Sequence, residues 1–95
     1  PASRAAEVGL INRAVPRDLL ENEINDTLNK VVRGGPNALA ASKQLVSKVP
    51  QMKRSDAWEW TAELSQSLFQ SPEAEEGISA FRERRDADWV PPSQQ

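Results

Sequence analysis

The sequence contains neither cysteine nor histidine. Disulfides, thiolate and imidazole metal ligands, cysteine nucleophiles and any Ser–His pairing are therefore excluded. The lack of cysteine is compatible with a cytoplasmic location, which is the expectation. Long apolar runs are missing too. "ALAA", Ala38 to Ala41, is typical, so no segment reads as membrane-spanning. The first residues lack the apolar stretch of a signal peptide. An excess of basic charge is also absent. With 12 Lys and Arg against 14 Asp and Glu, and a formal net charge of −2, the composition argues against a dedicated nucleic-acid-binding domain. "RGGPN" is no phosphate loop, because it lacks a preceding strand and a GK[ST] ending. The 95 residues make at most one small domain. A chain of this length buries only about 60–65% of the surface its unfolded form exposes, so its own core is thin.

Helix punctuation is plentiful. "VPRDLLENEINDTLNKVVRGG" opens with Pro16, suited to a first helical turn, and closes with Gly34 and Gly35, suited to a left-handed helix end. Leu20, Ile24, Leu28 and Val31 recur at helical spacing between them. Asp18 and Glu21 near the start, and Lys30 and Arg33 near the end, complement the helix dipole. The spacing predicts a helix over 17–33. A second helix starts at Pro36 and must stop or kink at Pro50. Its stripe is Leu39, Val46 and Val49 with Leu45 beside them, interrupted by Ser42. A third starts at Ser55 or Asp56, with Glu59 placed for a capping box. Trp58 follows one face of it, while Trp60 lies about 200° away at ~100° per residue, so a partner is expected to cover one of them. A fourth starts with Ser71 as cap and Pro72 as first residue. Ala74, Ile78 and Phe81 form its predicted buried stripe. Gly77 weakens this helix by about 1 kcal/mol relative to Ala, which suggests close packing at its backbone.

The first sixteen residues differ. An alanine-rich helical lead stops at Gly9, and a β-like run follows from Leu10 to Val15. An isolated strand cannot satisfy its backbone groups. No other segment reads as a strand, and the chain opens without Met. The expectation is a part of a larger protein. The predicted organisation is 1–16 as a junction to a missing core, 17–90 as a helical region, and 91–95 as a disordered tail.

Four segments, in order, carry a family resemblance. "AAEVGLINRAVP" resembles A-x-x-x-GLVN-x-VVP, and "GGPNALAASKQLV" resembles a P-x-A-x-x-x-x-K helix. "AELSQSLF" leads to "FQSPEAEEGISAFRERRDADW", which resembles F-x-S-x-D-x-x-EG-x-x-AF-x-EKR-x-P-x-F. Together they resemble the C-terminal part of an enoyl-CoA hydratase, in the crotonase superfamily. The resemblance implies an all-α fold of about four helices: the helical trimerisation region, without the N-terminal spiral of β-β-α units. It implies self-association as trimers or hexamers; the unpaired "GLINRAV" run and the thin core add the expectation of helices swapped between copies. The implied reaction is reversible addition of water across the 2,3 double bond of an acyl-CoA thioester, with double-bond isomerisation as the related alternative. The family's catalytic glutamates and oxyanion hole belong to its N-terminal part, so no catalytic role passes to any residue here. No cofactor is required; coenzyme A enters as the thioester substrate of the intact enzyme.

The same register implies that Phe81 and Arg84 approach the CoA of a neighbouring subunit. Three departures stand out: Glu73 replaces the usual Asp, Arg84 the usual Lys, and Ala87 the usual Pro. Arg offers phosphate a planar fork where Lys offers a point charge. Ordinary readings compete. Phe81 can pack in the core against Ile78. Arg82, Arg84 and Arg85 can form a solvated, dipole-compensating helix end, while Glu75 and Glu76 can balance its start. Lys43, on a helix with Lys48, reads as solvated, and the tryptophans as packing or interface residues. A helical interaction module unrelated to CoA is the non-enzymatic alternative.

Overall fold

The computed structural model describes residues 1–92. Residues 93–95 of the expected disordered tail lie outside the described residues. Those described are all helical, with five α-helices, two short 3₁₀ turns and no strand. The all-α expectation holds. The chain divides into two units, Pro1–Lys30 and Val31–Gln95.

In the first unit, α1 (Ala2–Glu7) is followed by Gly9 at φ 78, a left-handed position that suits glycine. The β-like run from Leu10 to Val15 forms no strand. With no second strand to pair, its first amides turn back instead: Leu10 and Ile11 N–H both donate to the Ala5 carbonyl, at 2.9 and 3.3 Å. Arg13 pairs with Glu23. The predicted helix over 17–33 starts as a 3₁₀ turn at Arg17–Leu19 and continues as α2 (Leu20–Val31). Its stripe of Leu20, Ile24, Leu28 and Val31 is exposed throughout.

In the second unit, α3 (Pro36–Lys48) is followed by a 3₁₀ turn through Pro50, and then by α4 (Arg54–Phe69) and α5 (Pro72–Glu83). Helix α4 packs against both α3 and α5. The α5 start is as predicted: Ser71 Oγ accepts the Ala74 N–H at 3.2 Å and Pro72 is the first residue. The α4 start is not. It is one residue before Ser55, capped by Lys53 without a side-chain bond, so Asp56 lies inside the first turn rather than at the cap. Ser42, the interruption in the α3 stripe, returns its hydroxyl to the Ala38 carbonyl at 2.8 Å.

The buried core is minimal: among the described residues only Ala41 and Ala80 are buried. Ile78 and Phe81 are exposed, which corrects the predicted α5 stripe. Polar clasps do much of the joining instead. The Glu73 carboxylate, from the first turn of α5, accepts the N–H groups of Asn37 at 2.8 Å and Ala38 at 3.0 Å. These are orphan donors of the first turn of α3, and a carboxylate there also meets the positive end of the helix dipole. Glycine at 35 follows from this clasp and not from a left-handed cap. Its backbone is extended, at φ −60 and ψ 131. A β-carbon there would lie 2.5 Å from Glu73 Oε2.

Glu73→Ala and Gly35→Ala should therefore each destabilise the fold by about 1–2 kcal/mol, the scale of a lost helix cap. Both remove the same contact, so the double variant should lose little more than the worse single one. Urea unfolding of the four proteins checks this. Fully additive losses would mean that the carboxylate does not occupy the space beside Gly35.

Candidate functional site

The predicted site residues lie where α5 ends. Phe81 is in its last turn and is 86% exposed, so the ring has little packing of its own. Arg84 is the residue that caps the helix, in the left-handed conformation at φ 55 and ψ 43. Such backbone is unfavourable for a non-glycine residue, because Cβ crowds the carbonyl that follows. It closes the helix by two reversed bonds: Arg84 N–H donates to the Phe81 carbonyl at 3.3 Å, and Arg85 N–H to the Ala80 carbonyl at 3.1 Å. Phe81 and Arg84 thus share one helix end and one backbone hydrogen bond.

The three arginines of this end are not equivalent, although the sequence presents them as one cluster. Arg85 is committed to the fold. Its guanidinium donates to both oxygens of Glu76, at 2.6 and 3.0 Å, and to Glu83 at 2.5 Å. Planar, two-pronged pairing of this kind is the stronger form of ion pair. Glu76 also accepts the Asp88 N–H at 3.0 Å. Arg82 and Arg84 make no ion pair among the described residues. Glu76, which the sequence pairs with Glu75 as helix-start charge, instead ties the chain after α5 back onto the helix. No spacing rule marks a Glu–Arg bond nine residues apart across a helix end.

The other singled-out groups separate cleanly. Trp60 is half-buried beneath the Lys48 ammonium, which stands 5.4 Å from the ring centre. Trp58 remains exposed. Gly77 does mark a close approach, as its cost to the helix suggested. A β-carbon there would lie 3.3 Å from the Trp89 ring, and the Trp89 indole N–H donates to the Arg33 carbonyl at 3.1 Å. A small open hollow of about 180 Å³ is lined by Ala38, Leu68, Phe69, Ser71, Glu73 and Ala74. It is well below the size of a typical cofactor pocket. Among the described residues no group of acidic side chains could hold a metal, and no helix is long and apolar enough to cross a membrane.

The hydrogen bonds from Arg85, then from the Asp88 backbone, hold the Glu76 carboxyl down to about 2 from an ordinary 4.5. Hydrogen bonds to Glu76, then to Glu83, raise Arg85 further. A carboxyl lowered on folding stabilises the fold above its unfolded pKa, and that contribution disappears as pH falls through the folded value. The turn after α5 should therefore loosen between about pH 4.5 and 2. The Glu76 side-chain carboxyl carbon, followed by NMR, should titrate with a midpoint near the low end of that range. In Glu76→Gln that titration should vanish. A midpoint near an ordinary glutamate value would show that the bond to Arg85 is not made in solution.

Comparison with known proteins adds identity to this geometry. A short-chain enoyl-CoA hydratase of Clostridium acetobutylicum is 29% identical over 84 residues, 88% of this chain and 32% of that protein. A carnitinyl-CoA dehydratase of Citrobacter koseri is 27% identical over 92 residues, 93% of this chain and 35% of that protein. The Escherichia coli carnitinyl-CoA dehydratase is 28% identical over 92 residues, with the same coverage. The chain spans about a third of the length of these relatives. No solved structure gives a significant match. A sequence model of the enoyl-CoA hydratase/isomerase family matches residues 1–92, nearly the whole chain, and the protein belongs to that family.

Proposed function

We propose that this chain is the C-terminal helical region of an enoyl-CoA hydratase. In the intact assembly it contributes subunit contacts and a CoA contact. The observation that carries the reading is the family match across residues 1–92, joined to the ordered closing segments of the sequence. The reaction of the intact enzyme is the reversible hydration of 2-enoyl-CoA thioesters. Isomerisation of the double bond is the alternative, since the family unites hydratases and isomerases. Proton transfer and enolate stabilisation then fall to residues outside these 95, and the chain alone carries no turnover.

The exposed helix end supports the CoA contact. Phe81 offers an unpacked aromatic face, and Arg84 offers a guanidinium that no carboxylate of the described residues neutralises. A flat aromatic beside an unpaired arginine suits an adenine ring and its phosphates. The exposed apolar groups support self-association. The α2 stripe, Val46, Trp58 and Phe69 leave far more apolar surface uncovered than a minimal core can balance. Copies of the chain cover these faces for one another, as a trimer, a hexamer or an oligomer with exchanged helices.

Three measurements test the proposal. Calorimetric titration with CoA should give binding that Arg84→Glu weakens by about tenfold or more, since a phosphate contact is replaced by repulsion. Equal affinity in both proteins would remove Arg84 from the site. Light scattering across a concentration series should show oligomers, and a monomer at the highest concentration would contradict the assembly role. Crotonyl-CoA hydration by protein of verified mass should stay at background. Turnover above it would place an acid–base pair within these residues.

A further inference from the structure

Arg84 stands in a backbone conformation that a non-glycine residue holds only where its surroundings impose it. Two sets of contacts follow it. One is polar and local: Arg85 on Glu76, with the Asp88 N–H on the same carboxylate. The other reaches much further. The half-buried Trp89 lies against Gly77 and donates its indole N–H to the Arg33 carbonyl, 56 residues away in sequence. Arg33 in turn pairs with Asp86 at 2.8 Å, on the same returning segment. The bend that begins at Arg84 is thus fastened at its far side by a large aromatic ring. Gly77 supplies the seat for it: a side chain at that position would press on the ring, which accounts for a glycine inside α5.

We propose that Trp89 is a positioning residue, a latch whose seat on Gly77 and bond to the Arg33 carbonyl hold the returning segment and so keep Arg84 in its left-handed conformation. Its bearing on ligand binding rests on the CoA contact assigned above to Arg84. Without the latch, the left-handed residue relaxes, the helix end frays, and the guanidinium loses its fixed origin. The Arg33–Asp86 and Arg85–Glu83 pairs are exposed to solvent and screened, and the stronger Arg85–Glu76 pair reaches the returning chain only as far as the Asp88 N–H.

Amide hydrogen exchange by NMR on the whole chain tests this directly. Trp89→Ala should speed exchange of the Arg85 amide, which bonds the Ala80 carbonyl, by about tenfold or more. Trp89→Phe keeps a ring but not the N–H, and should fall between. The decisive comparison uses Arg84→Gly, because glycine adopts the left-handed backbone without help. In that background Trp89→Ala should accelerate the Arg85 amide much less. An unchanged Arg85 amide in Trp89→Ala overturns the latch. Equal acceleration in both backgrounds also overturns it, since Trp89 would then be ordinary packing. Calorimetric titration of CoA separates the latch from the site. Weaker binding in Trp89→Ala, with faster exchange, is the expected result. Faster exchange with unaltered affinity overturns the positioning role. If the unmodified chain does not bind CoA, the Arg84 contact fails, and the exchange comparison alone decides the latch.

Discussion

The second unit depends on one carboxylate. Glu73 begins α5, yet its oxygens are spent on the first turn of α3, where they satisfy two amides that no residue of that helix can satisfy. With only Ala41 and Ala80 buried, side-chain packing cannot by itself fix how these helices meet. A hydrogen-bonded clasp can, because it is directional where apolar contact is not. It also sets a steric demand at a distance. The space beside Gly35 belongs to the Glu73 side chain, and a methyl group there would compete with it.

The far end of α5 repeats this logic. The helix closes on a left-handed arginine, and the chain then folds back to be held by Arg85 on Glu76 and by Trp89 on the Arg33 carbonyl. Both ends of α5 are therefore fastened by contacts that leave the helix and return to it or to a neighbour. Between them Ile78 and Phe81 stay in solvent, and only Ala80 is buried. A fold held this way has well-defined helix ends and uncovered faces.

This arrangement gives the family membership a physical sense. Membership in the enoyl-CoA hydratase/isomerase family joins the chain to proteins about three times its length. The exposed stripe of α2 and the unpacked Phe81 are apolar surface that the described residues leave uncovered. The distribution of charge at the end of α5 fits the same picture. One arginine is used internally by three carboxylates, while Arg84 beside it is left without an ion pair among the described residues.

The sequence by itself determined most of the helix boundaries. Ser71-Pro72 and Pro36 start helices and Gly9 turns the chain, because these signals act through one residue's own φ, donor or side-chain oxygen. The cost of Gly77 also pointed correctly to a close approach. Periodicity failed where burial was concerned. Ile78 and Phe81 have the spacing of a core stripe, but spacing only says that residues share a face, not that anything covers it. The run from Leu10 to Val15 has strand chemistry, but a strand is a pairing and the described residues offer no second one. Tertiary structure alone decided which carboxylate meets which donor: Glu73 across to Asn37 and Ala38, Glu76 back to Arg85, and the Trp89 indole to Arg33. Those bonds join groups from nine to 56 residues apart, and no local rule of propensity, capping or period extends that far.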